Sequence, residues 1–281
     1  MKRGLSFAGM LGPSLLAFGF LFVVPVGYFF LQSFWREEYF TLERNFTFYN
    51  YIRAYEDYGY SWLFTLAIGF AIGLLTTFFA FALAYFAHFR AGRFGPIILF
   101  LTLTTLFGGY LVKIYAWKSI LGVDGVLNTT LITLGIIHGP LTWLLYSPLA
   151  VIITLVNFLL PLAVLPIYAA LRLIDERALT SAQDLGSSGF RVLVDIVAPQ
   201  ALTGIIGAFS LSFLIAVGDY VTPQLVGGPE SVMVGSFIED EFVDRMDAPL
   251  GAALATDVLG SCLLIVLVVS LLLRRFTRQP A

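Results

Sequence analysis

The chain has 281 residues, of which 59% are hydrophobic and only 12% charged, with a net charge of −2 and a mean hydropathy of +0.90. Soluble domains carry about a quarter charged residues, and disordered chains combine low hydrophobicity with high charge, so both classes are excluded. What remains is an all-α polytopic membrane protein. Helices satisfy their own backbone in lipid, and the apolar runs do not show the alternating segments of about 10 residues that a barrel needs.

Six apolar segments follow one another, at about 10–34, 63–87, 95–117, 144–170, 201–222 and 250–273. Each reaches the roughly 20 residues that a spanning helix requires. The first follows Lys2 and Arg3 but is too long for a signal peptide and lacks a small-residue cleavage site, so a retained helix is expected. Pro13 is expected to mark its start and Pro25 a kink. Loops 35–62, 118–143 and 223–249 then fall on one side and 171–200 on the other, in a single transmembrane domain. The glycine-rich 118–143 segment holds an apolar stretch of only about ten residues, too short to span, which is expected to be re-entrant or interfacial.

Lys and Arg in the loops set the orientation. With the N-terminus in the cytoplasm, ten basic and four acidic residues lie inside, and six basic and twelve acidic residues outside. The modest net charge thus divides into +6 inside, −6 outside and two acids within the spans, Asp219 and Asp257. Both termini are expected in the cytoplasm. Cys262 lies alone in an apolar run, and His88 and His138 have no ligand cluster at metal-binding spacing, so no metal site is expected. No nucleic-acid partner is expected either.

The inward segment 171–200 has the unusual chemistry. Leu173, Ile174, Ala178, Leu179, Ala182 and Leu185 recur at helical spacing. Gly186 interrupts, Ser187, Ser188 and Gly189 offer an N-cap region, and Phe190, Leu193, Val194 and Val197 resume the pattern before Pro199. The pattern predicts a helix–turn–helix knob on the cytoplasmic face. It is either an interfacial hairpin joining two spans or a docking element for a soluble partner.

Within this segment Thr180-Ser181-Ala182, Gly186, Ile196 and Ala198-Pro199 resemble the signature EAA-x3-G-x9-I-x-LP of the permease subunits of type I ABC importers. The spacing matches throughout, with Thr180 for Glu, Ser181 for Ala and Ala198 for Leu. The runs YLVKIYAWKSILGVDGVLN (110–128), FLLPLAVLPIYAAL (158–171) and GDYVTPQLVGGP (218–229) are similar to the polyamine- and opine-type branch, and to the first of its two dissimilar permeases. The resemblance implies the six-helix permease fold, and a knob that docks on an ATPase through Thr180, Ser181, Ala182, Asp184, Leu185, Gly186, Ile196 and Pro199. It also implies a place in the bacterial inner membrane with lipid around this chain, a heterodimer with a second permease, an ATPase dimer at the cytoplasmic face and an external substrate-binding protein.

No G-x-x-x-x-G-K-[ST] sequence occurs, and the three lysines are Lys2, Lys113 and Lys118. The chain is therefore expected to be a transport subunit rather than an enzyme and to bind no cofactor. ATP and Mg belong to the partner ATPase. Ionisable residues within spans point to a substrate path. Asp257, Asp219 and Lys113 are the charged candidates, Tyr110, Trp117, Phe213 and Tyr220 the aromatic walls, and Asn157 a polar position in the fourth span. The alternative for the charges is an internal ion pair, for example Asp257 with Lys113, or a loop cap at Asp219. A polyamine such as spermidine or putrescine, or an opine- or amino-acid-like compound, is the substrate class implied. An ion-gradient-driven secondary transporter would show repeated halves and coupling carboxylates, and leaves the knob unexplained. An intramembrane enzyme would need a nucleophile–base pair or a metal cluster, and neither is evident.

Overall fold

The computed structural model describes residues 12–38 and 41–277. Four helices are long and apolar enough to cross a membrane: α1 (Gly12–Gln32), α2 (Tyr49–Tyr85, extended by a π turn to Arg90), α6 (Pro148–Leu171) and α11 (Ala248–Thr277). The count reaches six when each of two bent helix pairs is taken as one span. The expected termini, with Lys2, Arg3 and Arg278, lie outside the described residues.

Two of the six apolar segments depart from straight spans. The segment expected at 95–117 is split between α3 (Gly95–Thr104, continued by a 3-10 turn to Gly108) and α4 (Tyr110–Leu121). The flanking helices, Gly92–Gly108 and Tyr110–Thr133, meet at 98°. Gly109 makes the corner with a φ of +68°, in the region where side chains are disfavoured. The segment expected at 201–222 narrows to α9 (Leu202–Val217), bent by 72° from the helix Gly189–Gln200 that precedes it. The loops are also more ordered than hydropathy implies. Segment 35–62 holds a two-stranded antiparallel ribbon, β1 (Arg36–Glu38) against β2 (Thr41–Glu43), and then the start of α2. Segment 118–143 holds the eight-residue α5 (Val126–Thr133), and 223–249 holds α10 (Val234–Val243).

Prolines explain part of this pattern. Pro25 and Pro199 each follow a π turn, Gly19–Val23 and Leu193–Val197. A proline has no N–H to close the preceding α turn, and a widened turn absorbs the defect. Helix α6 runs unbroken through Pro161 and Pro166.

The chain forms two compact units. One contains the residues up to Tyr60 and Phe237–Gly260. There, Asn50 donates from Nδ2 to the carbonyls of Ser33 (3.0 Å) and Trp35 (2.6 Å), fixing the end of α1 to the start of α2. Arg53 bonds Asp247 at 2.8 Å. Tyr58 donates its hydroxyl to the fully buried Glu241, whose same oxygen accepts from Arg245 at 3.0 Å. On α1, large side chains such as Leu16, Phe20 and Leu21 remain about three-quarters exposed (75%, 74% and 73%), as expected of a surface covered by lipid rather than water.

The other unit contains Ser61–Ser236 and the chain after Gly260. Helix α6 is its axis, burying Ala150, Val151, Leu155, Leu159, Ala163, Val164, Ile167 and Leu171. It packs on α9 so closely that a Cβ added at Gly204 would stand 2.5 Å from the Pro166 carbonyl oxygen. Small residues at such crossings let helix backbones approach, which is how spans associate in a solvent as apolar as their own side chains. Two apolar clusters lie along α6. One gathers Ile167, Leu171, Ile174, Val192 and Val197 around the knob, and the other gathers Ile114, Leu121, Val151, Leu155 and Val226 around α4.

Candidate functional sites: the helical knob and a charged cluster

The knob is a helix–turn–helix. Helix α7 (Glu176–Asp184) starts at Asp175, whose carboxylate accepts the Arg177 N–H at 2.9 Å. It ends in a Schellman turn: the Ser187 N–H reaches the Ala182 carbonyl at 3.0 Å and the Gly186 N–H reaches Gln183 at 2.9 Å. Gly186 has a φ of +86°, so the motif glycine is required by the turn itself. Space is not the constraint, because nothing lies within 4 Å of an added Cβ. Ser188 caps the next helix, α8 (Gly189–Val192), by accepting the Arg191 N–H at 3.4 Å.

The two faces of the knob differ. Leu179, Ala182, Leu193 and Ile196 pack against the buried cluster that includes Val192 and Val197. Leu185 and Phe190, on either side of the Gly186 turn, are 88% and 74% exposed. Leu173, just before α7, is also exposed. The sequence pattern placed Phe190 in the helical periodicity without assigning it a face, and it faces out. Thr180, at the motif Glu position, spends its hydroxyl on the carbonyls of Arg177 (3.0 Å) and Glu176 (3.3 Å). Ser181 and Asp184 are exposed, and Pro199 is half-buried in the turn below.

The second assembly joins α4, α6 and the segment after α9. Tyr110 donates its hydroxyl to Asp219 Oδ1 and lies 2.8 Å from Thr222 Oγ1. The same Asp219 oxygen accepts the backbone N–H of Val221 at 3.1 Å and of Thr222 at 3.4 Å. Asp219 is therefore the loop cap weighed above, but only through one oxygen. Its Oδ2 is buried and has no hydrogen-bond partner among the described residues. Lys113 Nζ is also buried without a hydrogen-bond partner, 5.3 Å from the centre of the Phe158 ring. Phe158 in turn contacts the Tyr110 ring at 4.8 Å.

The structure thus unites Tyr110, Lys113 and Asp219 and adds Thr222 and Phe158, which the sequence did not single out. Phe158 was read as part of a resembling run, and only its position beside Lys113 distinguishes it from the other phenylalanines. The remaining candidates differ in their settings. Phe213 is fully buried, stacked on Phe209 at 5.6 Å and close to Gly69 and Gly73, as an interior packing residue. Trp117 packs against the cluster around α4, Tyr220 is partly exposed, and Asn157 faces outward from α6. Asp257 lies in α11, in the other compact unit. Among the described residues no group of three or more His, Cys, Asp or Glu side chains is arranged to hold a metal ion.

No family model matches the chain. Individual relatives do. A spermidine/putrescine transport permease, PotB of Haemophilus influenzae, is 37% identical over 163 residues, 58% of this chain and 57% of that one. The matched region thus spans little more than half of that relative. PotB of Escherichia coli is 35% identical over 201 residues, 69% of this chain and 73% of its own. Among solved structures, a bacterial ABC transporter that imports the acidic polysaccharide alginate covers 99% of this chain and 98% of its own, with a TM-score of 0.72 at 16% identity. A second alginate transporter structure, in complex with a pentasaccharide-bound periplasmic protein, has a TM-score of 0.63 at 16% identity. At that identity the structures speak for the fold alone. The sequence relatives carry the family: this chain, a multi-pass inner-membrane protein, belongs to the permease subunits of ABC importers.

Proposed function

We propose that the chain is the membrane-spanning subunit through which an ATP-driven importer moves small solutes bearing a protonated amine, polyamines such as spermidine and putrescine foremost. The observation that carries this reading is the 35% identity over 201 residues to a permease of that named substrate class. The alginate transporters share the fold, so the fold by itself does not set the substrate. The Asp219 carboxylate with its free oxygen, beside the rings of Tyr110 and Phe158, is a chemically suitable neighbourhood for an ammonium group.

In this reading the knob faces the cytoplasm, where an excess of basic residues sits, and both termini lie on that side. A separate ATPase dimer binds ATP and Mg and receives the knob through Leu185, Phe190 and the Gly186 turn. A second, dissimilar permease completes the pathway, and an external binding protein delivers the solute. Nucleotide-driven closure of the ATPase shifts the bundle between two arrangements, a rigid-body change biased by differential binding.

The test is uptake of labelled spermidine and putrescine into proteoliposomes holding the permease pair, its ATPase and the binding protein. Uptake that follows ATP hydrolysis, and is indifferent to dissipated ion gradients, is expected. Uptake that persists without any ATPase would establish the ion-driven alternative instead.

A further inference from the structure

The charged cluster contains an arrangement that amine transport alone does not require: a positive side chain of the protein itself, placed where a substrate amine would bind. We propose that Lys113 is a tethered ammonium that occupies the aromatic face offered to the substrate amine and is displaced when that amine arrives and engages Asp219. The inference rests on the amine-import reading and names the residue that sets how tightly the amine is held.

Three observations carry it. Lys113 Nζ is buried and has no hydrogen-bond partner among the described residues, and its compensation is the Phe158 ring at 5.3 Å. One ring face returns only part of what an ammonium loses on leaving water, so this position is weakly held. Second, Asp219 is half-satisfied in an unusual way. Three donors, from Tyr110, Val221 and Thr222, converge on Oδ1 and fix the carboxylate, while Oδ2 is buried and empty-handed. Two opposite charges are therefore both under-satisfied in one cluster, linked by the contacting rings of Tyr110 and Phe158 at 4.8 Å. No Lys113–Asp219 ion pair is formed. Third, Lys113 sits in the first turn of α4, its N–H bonded to the Gly109 carbonyl at 3.3 Å. A helix N-terminus disfavours a cation, which adds to the ease of displacing it.

The chemistry specifies the ligand's sign. Ring faces attract cations, and the free Asp219 oxygen accepts a hydrogen bond from an ammonium but not from an anion. An incoming alkylammonium reproduces what Lys113 offers the rings and additionally satisfies Asp219.

The test is equilibrium binding of radiolabelled putrescine and spermidine to the assembled, detergent-solubilised permease–ATPase complex, without the binding protein whose own affinity masks that of the membrane site. Removing the competitor by Lys113→Met or Lys113→Gln is expected to lower Kd by about three- to tenfold. Lys113→Arg, which restores the cation, is expected not to show that drop. Asp219→Asn is expected to raise Kd, with recovery of assembled complex recorded for every variant. An unchanged Kd in both neutral variants overturns the proposal. So does a raised Kd, which would make Lys113 the ligand of an anionic group on a zwitterionic substrate. Failure of the wild-type complex to bind or take up any amine removes the amine-import reading and this proposal together, whereas amine uptake with an unaltered Kd removes this proposal alone.

Discussion

The outward face of the knob gives the sharpest test of where the energy enters. Leu185 and Phe190 are 88% and 74% exposed, although both are large and apolar. Burying such a side chain fully is worth about 1.5–3 kcal/mol. Truncating either to alanine removes most, though not all, of the apolar area available to a partner, so a loss of about 1.5–2 kcal/mol per residue is expected, roughly a ten- to thirtyfold weaker docking constant. The same substitutions cost the isolated chain within about 0.5 kcal/mol, because an exposed side chain has little to lose on truncation. Leu179→Ala is the internal contrast. Leu179 packs against the buried cluster beneath the knob, so its truncation should lower the chain's own stability more than its docking. The assay is titration of the ATPase onto the permease pair in nanodiscs, paired with thermal unfolding of the permease alone. Docking constants unchanged in both Leu185→Ala and Phe190→Ala, at full permease stability, would refute the assignment of this face to the ATPase.

Two further outcomes test the packing. Gly204→Ala should lower the unfolding temperature of the chain in detergent, by a destabilisation of about 1–3 kcal/mol, because the new Cβ meets the Pro166 carbonyl oxygen at 2.5 Å and the helices must part. Gly207→Ala, three residues on, meets only Pro166 Cβ at 3.6 Å and should be neutral or slightly stabilising, since alanine favours the helix. Arg245→Ala should destabilise the unit around Tyr58 by about 1–3 kcal/mol, because it leaves the fully buried Glu241 with Tyr58 as its remaining hydrogen-bond donor. Adding Glu241→Gln to Arg245→Ala should recover part of that loss in a double-mutant cycle, and strict additivity would count against a coupled pair.

The knob was legible because its signals are local. Asp175, Gly186 and Ser188 act on backbone groups two to five positions away, and such distances are fixed by the sequence. The face that Phe190 takes was not legible, for a physical reason. Periodicity says which residues share a face, but not whether that face meets this chain or another. The corner at Gly109 was hidden because hydropathy averages over a window and does not register one residue at a φ of +68°. Glu241 was counted among outward acids, yet it is fully buried, and its partner Tyr58 lies 183 positions away. Tyr110 and Asp219 were each selected as candidates, but their hydrogen bond spans 109 positions and required the fold to join them.

The knob and the charged cluster share their supporting helices. Helix α6 ends at Leu171 beside the knob and carries Phe158 about 20 Å back along its axis, at 1.5 Å per residue. Helix α9 leaves the 72° bend after the knob and reaches Asp219 about 25 Å later. The two are held at backbone distance by Gly204 against Pro166 and Ala170. Tyr110 and Lys113, by contrast, ride on α4 beyond the 98° corner at Gly109. The place where that pair meets α4 is the Tyr110–Asp219 hydrogen bond and the Phe158 face under Lys113. The groups with unsatisfied charge stand at the junction between a closely packed pair of helices and a hinged one, where a small relative shift changes hydrogen bonding most. On the function proposed above, that position is where nucleotide-driven motion would be coupled to the strength with which a cation is held.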